Sequence, residues 1–176
     1  EKSLSVYEVK SSLLKKLNPD VIITQSQCSV CAVSLKDVEE CLEKFINKKP
    51  LLIDLKPNTF EEVLQDIINV GKKLNRKKKS NSLVKNIKNE INEIKAKTLN
   101  SKMKNILCIE WIEPMMTAGN WIPQMVEFAG GKSIFTESGK NSNFIKSDEI
   151  NFEKVDIIIF MPCGFNIERS KKEILR

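Results

Sequence analysis

Two tryptophans, one C-x-x-C pair and a distant third cysteine are the residues of this sequence whose types and spacing could do chemistry. Trp111 and Trp121 are the only tryptophans among 176 residues, and they bracket one segment, Glu110 to Trp121. The apolar run Ile106-Leu107-Cys108-Ile109 precedes that segment and reads as a buried strand. Ile122 to Ala129 follows and reads as a helix stopped by Gly130-Gly131. Two large flat side chains on a strand-to-helix loop suit a surface that grips a flat ligand; packing into the core is the other reading. Gly119 and Asn120 of the same loop are candidate ligand contacts. Met115 and Met116 read as core filler or as part of that surface. Glu110 and Glu113 could form a carboxylate pair for acid–base work. With no partner base beside them, a surface or hydrogen-bonding role is expected instead.

Cys28-Ser29-Val30-Cys31 lies on a loop after one strand and before a helix. A thiolate at a helix start is stabilised there, so thiol–disulfide exchange is one reading. A structural pair and a ligand or metal contact are the others. Cys163 would bring a third thiol, enough for a soft metal ion. A single C-x-x-C lacks the second pair of a structural zinc site. The five cysteines are an odd number and do not read as a secreted disulfide framework. Cys41 and Cys108 sit in apolar-periodic segments and read as small buried hydrophobes. The sequence contains no histidine, which removes Ser-His-Asp and Cys-His catalysis and His-ligated metals within this chain.

The elements that must position these residues alternate. Ser12 to Leu17 reads as a short helix ending at Asn18-Pro19. Val21-Ile22-Ile23-Thr24 and Leu51-Leu52-Ile53-Asp54-Leu55 read as buried strands, with a helix over about Leu35 to Ile46 between them. Gln25 opens the loop after the first strand. Strand, helix, strand is the signature of a parallel α/β arrangement. Pro57-Asn58-Thr59 opens a helix with Glu61 and Glu62 in its first turn. A long helix is predicted from about Ser82 to Leu99, with Leu83, Ile87, Ile91 and Ile94 on one stripe, suited to a strut across two lobes. After Lys102 the strand–loop–helix pattern resumes. Val155 to Met161 reads as another strand, ending in Pro162-Cys163-Gly164-Phe165, and Ile167 begins a helix. Short helix is expected over Ser147 to Phe152. In open parallel sheets ligands sit at the carboxyl ends of strands. Three loops are expected there: 25–31, 110–121 and 162–165.

Hydrophobic residues at 41% and charged residues at 30% describe a globular chain, and no apolar run approaches the ~20 residues of a membrane span. The net charge of +6 comes mostly from one block, Lys72-Lys73-Leu74-Asn75-Arg76-Lys77-Lys78-Lys79. No aromatic residue occurs between Phe60 and Trp111, so bases would find nothing to stack on, and the block reads as a solvated helix junction, with an anionic membrane surface as a lesser reading. No nucleic-acid partner is expected.

The order of motifs resembles the periplasmic binding proteins for vitamin B12 and ferric siderophores. Asn18-Pro19-Asp20-Val21-Ile22-Ile23-Thr24 resembles their first-lobe strand. Pro57-Asn58-Thr59-Phe60-Glu61-Glu62-Val63, with Gly71 and the long helix, is similar to their backbone-helix region. Ile106 to Phe135, with Pro114, Thr117-Ala118-Gly119 and Gly130-Gly131, is similar to the opening of their second lobe. Cys28 to Val33 and Met161 to Phe165 resemble a bacterial cobalamin-binding branch.

That resemblance implies an α/β fold of two Rossmann-like lobes with parallel sheets, bridged by a long backbone helix. Residues 1–57 would belong to the N-terminal lobe, 58–101 to the helical segment and 102–176 to the C-terminal lobe. Both lobes would be incomplete, because the family's chains begin earlier and continue further. The implied activity is binding, not catalysis: a corrinoid held between lobes and handed to an ATP-binding-cassette (ABC) importer, with no catalytic cofactor. Trp111, Trp121, Gly119, Asn120, Gln25, Cys163 and Phe165 are the implied ligand contacts. Glu149 falls at the position of the acid that docks the second lobe on the transporter permease. A periplasmic or cell-surface location is implied, with the membrane met only through the transporter. The remaining alternatives are a metal or iron-chelate binder using Cys28, Cys31 and Cys163, a thiol oxidoreductase, and an interaction fragment with no ligand.

Overall fold

A computed structural model describes residues 9–27, 38–40, 42 and 50–175. The chain forms two compact units, Glu1–Pro57 and Asn58–Arg176.

In the first unit, helix α1 (Ser11–Leu17) ends where Asn18 takes a left-handed backbone, φ 41°, and donates its N–H to Leu14. Asparagine tolerates that conformation, and Pro19 cannot continue the helix. Strands β1 (Val21–Gln25) and β2 (Leu51–Leu55) pair in parallel, with Val21 opposite Leu51 and Gln25 opposite Leu55. The β-branched run therefore extends one residue further than its pattern, through Gln25. Residues 38–40 and 42 are helical, within the span expected for the intervening helix, and Val38 and Leu42 are buried. The strand–helix–strand order and the parallel ladder agree with the alternation in the sequence.

The second unit opens with helix α2 (Phe60–Lys73), capped by a reciprocal box at Thr59 and Glu62. Thr59 Oγ1 accepts from the Glu62 N–H at 3.3 Å. The Glu62 carboxylate accepts from the N–H groups of Asn58 (2.6 Å) and Thr59 (2.9 Å). Those bonds, Asn58 first, hold its carboxyl below the usual glutamate range.

Helix α3 (Lys77–Thr98) follows after one tight corner. Asn75 turns the chain with φ 56°, and the Arg76 N–H donates to Gly71 O at 2.6 Å. The helix starts five residues before the predicted Ser82, because lysine is a competent helix former and only the corner interrupts α2 and α3. Its inner stripe also differs from expectation. Ser80 and Val84 are buried and Ile87 and Ile91 half-buried, whereas Leu83 and Ile94 are exposed. The reason is local: a Cβ on Gly71 would collide with the Ser80 side chain, so the two helices touch backbone to side chain there. That contact decides which face of α3 turns inward.

The sheet of this unit is mixed and centred on β3 (Asn105–Trp111). Strand β7 (Ile157–Phe160) runs parallel along one edge, Ile106 opposite Ile157 and Ile109 opposite Phe160. The other edge is shared by β5 (Lys132–Ser133), parallel, and β4 (Met116–Thr117), antiparallel. A further short strand, β6 (Asn143–Phe144), pairs antiparallel with β4. The segment after β3 is thus not a plain strand-to-helix loop. It doubles back as a hairpin before helix α4 (Ile122–Phe128), and its Glu113–Pro114 peptide is cis. Alternate residues of β3 feed two clusters: Leu107 and Ile109 pack with Ile150, while Cys108 packs with Ala118 and Val126. The short helix expected over 147–152 is two separate 3₁₀ turns, Ser147–Glu149 and Phe152–Lys154, with Ile150 buried between them.

Side-chain contacts tie the helical pair to α4. The rings of Phe60 and Phe128 meet edge to face at 5.3 Å, and Lys95 Nζ lies 4.2 Å from the Phe128 ring centroid. The Phe60 N–H donates to Gln124 Oε1 at 2.7 Å.

Candidate ligand-binding site

Parallel pairing of β3 with β7 brings the carboxyl ends of both strands to one end of the sheet. Trp111 closes β3, and the chain leaving β7 turns at Pro162-Cys163-Gly164-Phe165. Gly164 supplies the positive φ (75°) of that turn, and the Phe165 N–H donates to Pro162 O at 3.2 Å. The turn sets the Phe165 ring 5.2 Å from the Trp111 ring, tilted at 57°. The indole is anchored by its own Nε1–H, which donates to Glu113 O at 2.9 Å. A buried tryptophan would need such a partner; here it also fixes a half-exposed ring in one orientation.

The stack has a third layer. Helix α5 (Ile167–Ile174) starts at Asn166, whose side chain accepts the Arg169 N–H at 2.8 Å. That cap orients the first turn so that the Arg169 guanidinium lies 3.7 Å from the Phe165 ring centroid, a cation–π arrangement. The result is a graded wall of indole, phenyl and cation. Arg169 was not among the sequence-predicted contacts. Its signal was present as an Asn-x-x-Arg spacing just past Phe165, which places the arginine one turn into a capped helix.

The other expected contacts are not part of this wall. Among the described residues the aromatic pairs are Phe60–Phe128 and Trp111–Phe165, so the two tryptophans do not stack together. Trp121 is half-buried and occupies the position before α4. Gly119 is buried, and a Cβ there would press on the backbone of Lys140 to Ser142. Its glycine identity is thus accounted for by packing. Asn120 has φ 54°; its N–H donates to Lys140 O at 2.6 Å and its carbonyl accepts from Gly139 at 2.9 Å. Its side-chain Oδ1 is buried, with no hydrogen-bond partner among the described residues. Glu110 makes the hydrogen bond expected of it: Ser142 Oγ donates to its carboxylate at 2.6 Å and accepts the Gly119 N–H at 3.2 Å. That relay pins the hairpin loop from inside the unit.

In the first unit Gln25 is exposed at the carboxyl end of β1, where its Nε2 donates to Gln27 Oε1 at 3.1 Å. Next to it Ser26 Oγ donates to Asp54 Oδ2 at 2.6 Å, joining the ends of β1 and β2. Glu149 is exposed; one carboxylate oxygen accepts the Lys146 N–H at 2.8 Å.

Cys28 and Cys31 lie outside the described residues, as does Cys41. Cys163 is free and exposed in its turn, and Cys108 is free and buried, its thiol pushed up by desolvation. Among the described residues no group of three His, Cys, Asp or Glu side chains is placed to hold a metal ion. No helix among them is long and apolar enough to cross a membrane.

This α/β architecture is shared with known proteins. The profile of the periplasmic binding protein family matches residues 8–176. The chain belongs to that family. Its fold is similar to an ABC transporter substrate-binding protein from Listeria monocytogenes, with a TM-score of 0.73 and 17% identity over 92% of this chain and 60% of that one. It is similar to S. aureus IsdE, solved with heme, at TM-score 0.65 and 21% identity, over 96% of this chain and 63% of that one. It is also similar to the vitamin B12 binding protein BtuF of Vibrio cholerae, at TM-score 0.62 and 12% identity, over 94% and 64%. The chain therefore spans about three fifths of the length of these proteins. None of the curated protein sequences compared with it matches.

Proposed function

We propose that this chain is part of the solute-binding component of an ABC importer, and that its ligand is a flat tetrapyrrole-type macrocycle, a corrinoid first among them. The observation that carries the reading is the Trp111–Phe165–Arg169 wall at the carboxyl end of β3 and β7. Two tilted rings offer apolar area to the face of a conjugated ring, and area of that kind dominates binding of flat ligands. The guanidinium beside them offers donors to carbonyl or carboxylate groups on the ring's periphery. Cobalamin carries its own axial base, so a sequence without histidine can hold it by its face and edge.

In this reading Trp111 and Phe165 contact the macrocycle, and Trp121, Asn120 and Cys163 are secondary contacts. Glu149, exposed on a 3₁₀ turn, is the acid offered to the permease. The location is extracytoplasmic, where such importers collect solute. Binding proteins of this kind are not enzymes, and no residue here is assigned a catalytic step.

Titration of the protein with cyanocobalamin, following tryptophan emission corrected for ligand absorbance, tests the reading. Saturable quenching at micromolar ligand is expected, and it should weaken at least tenfold in Trp111→Ala. A folded sample that shows no quenching with cobalamin, but saturates with hemin, would replace the corrinoid by heme. No response to either ligand would sink the macrocycle reading.

A further inference from the structure

Helices α2 and α3 of the second unit form a hairpin whose positive charge is concentrated at its corner and along the first half of α3. Eight cations and no acid lie between Asp66 and Glu90: Lys72, Lys73, Arg76, Lys77, Lys78, Lys79, Lys85 and Lys88. That exceeds the net charge of the whole chain, +6, so the remainder is slightly acidic. The charge is therefore a feature of this corner and not of the protein's surface as a whole.

The corner is built to be rigid. Gly71 lets Ser80 close on α2, the Arg76 N–H is bonded to Gly71 O at 2.6 Å, and Ser80 Oγ donates to Lys77 O at 3.1 Å. Around this joint Lys72, Asn75, Arg76, Lys77, Lys78 and Lys79 line an open cavity of about 550 Å³. The ion pairs Lys56–Asp54, Lys104–Asp156 and Lys171–Glu168 involve none of these eight cations, so among the described residues no carboxylate is seen paired with them. Three of them also crowd the first turn of α3, where the aligned N–H groups already carry positive charge and where acids are the favoured residues. Like charges held together in this way cost stability that an external anion would return.

The geometry points to an anionic lipid surface as the partner of this corner. The cations surround the end of a helical hairpin, and the hollow that six corner residues line is wide open to solvent, which suits an array of phosphates on a surface. Leu74 and Leu83 stand exposed among them, apolar groups of a size to rest at the headgroup boundary. Nucleic acid is the less suited polyanion, because no aromatic residue lies between Phe60 and Trp111 to stack a base. This surface is separate from the Trp111–Phe165 wall, and its test does not depend on the ligand.

Sedimentation with phosphatidylcholine vesicles, with and without one third phosphatidylglycerol, tests the proposal. Binding is expected only to the anionic vesicles and should fall steeply with salt. In Lys77→Gln/Lys78→Gln/Lys79→Gln the partition coefficient should drop roughly a hundredfold, since each lysine near an anionic surface contributes about one factor of five. A control with the same charge change elsewhere, Lys102→Gln/Lys132→Gln/Lys154→Gln, should lose far less. Circular dichroism checks that each variant is folded; if the triple variant is not, Lys72→Gln/Arg76→Gln reads the same corner. Equal loss in corner and control variants would overturn the proposal, as would no anionic-vesicle binding at low salt. Tighter binding to single-stranded DNA of matched charge would assign the corner to nucleic acid instead.

Discussion

Strands β3 and β7 are paired neighbours, each with an apolar run at its centre, and their surroundings differ. Leu107, Cys108 and Ile109 of β3 are 0–1% exposed; Ile157, Ile158, Ile159 and Phe160 of β7 are 38–44% exposed. Both are continuous apolar runs, and they are paired in register. β3 is bonded along both edges and covered by two clusters, whereas among the described residues β7 is paired only with β3. Hydrophobic composition made both of them strands. Burial came from what lies on the far side, and that differs.

The comparison is most sharply broken by matched truncations. Leu107→Ala should cost about 2–5 kcal/mol, because the cavity it leaves is closed in by Ile109, Ile150 and their neighbours. Ile158→Ala, on the exposed strand, should cost about 1 kcal/mol or less. Urea unfolding of both variants measures the difference, and equal costs would mean that β7 is covered in solution.

Next in size is the contrast between two free thiols of the described residues, Cys108 and Cys163. Cys108 lies within β3, buried and with its thiol pushed up by desolvation; Cys163 is exposed just past β7. Mass mapping after brief treatment with a maleimide should find Cys163 modified and Cys108 untouched until the protein unfolds. The raised Cys108 value means that its neutral form is favoured in the fold, so alkali above the ordinary thiol range should destabilise the native state.

At their carboxyl ends, where the ligand is proposed to bind, the strands should behave more alike. Trp111→Ala and Phe165→Ala each remove one ring of the stack, and each is expected to weaken cobalamin binding, Trp111 by about tenfold or more. Calorimetric titration would show it. Thermal stability should change little for either, since both rings are half-exposed.

The smallest effect concerns the strands' shared starting end. The Asp156 carboxylate accepts the Asn105 N–H at 2.7 Å and pairs with Lys104 Nζ at 3.4 Å, joining the start of β7 to the start of β3. These contacts, the Asn105 bond first, lower the aspartate below its ordinary 3.8. A lowered carboxylate stabilises the fold above its unfolded value, and that contribution fades as pH falls through the folded one. Asp156→Asn should therefore lower the melting temperature slightly at neutral pH, with the gap to wild type closing below about pH 4.

Much of the chain was legible as pattern. β1, β2, β3 and β7 sit within a residue or two of their apolar runs, because a β-branched or aliphatic run bounded by turn residues has few other uses. Thr59 and Glu62 announced the start of α2 through local hydrogen bonds alone. Less was legible where distant parts decide. The lysine block concealed five residues of α3, since only the Asn75 corner, held by Gly71 and Ser80, separates the helices. β4 and β6 are two residues each and exist through cross-strand pairing, which leaves no periodicity to read. Of the candidate site, Trp111 and Phe165 could be named but not joined, and Arg169 was passed over.

By itself, then, the sequence determined the α/β alternation, the apolar strands, the capped helix and the concentration of charge at one helix junction. Each depends on side chains a few residues apart and on forces of that range. Which apolar strand is buried, which face of α3 turns inward, and which aromatic meets Trp111 were decided only in the tertiary structure. The physical reason is that burial and ring contact are properties of pairs far apart in the chain. Trp111 and Phe165 are brought together by the parallel register of β3 and β7 and by a turn that Gly164 makes possible.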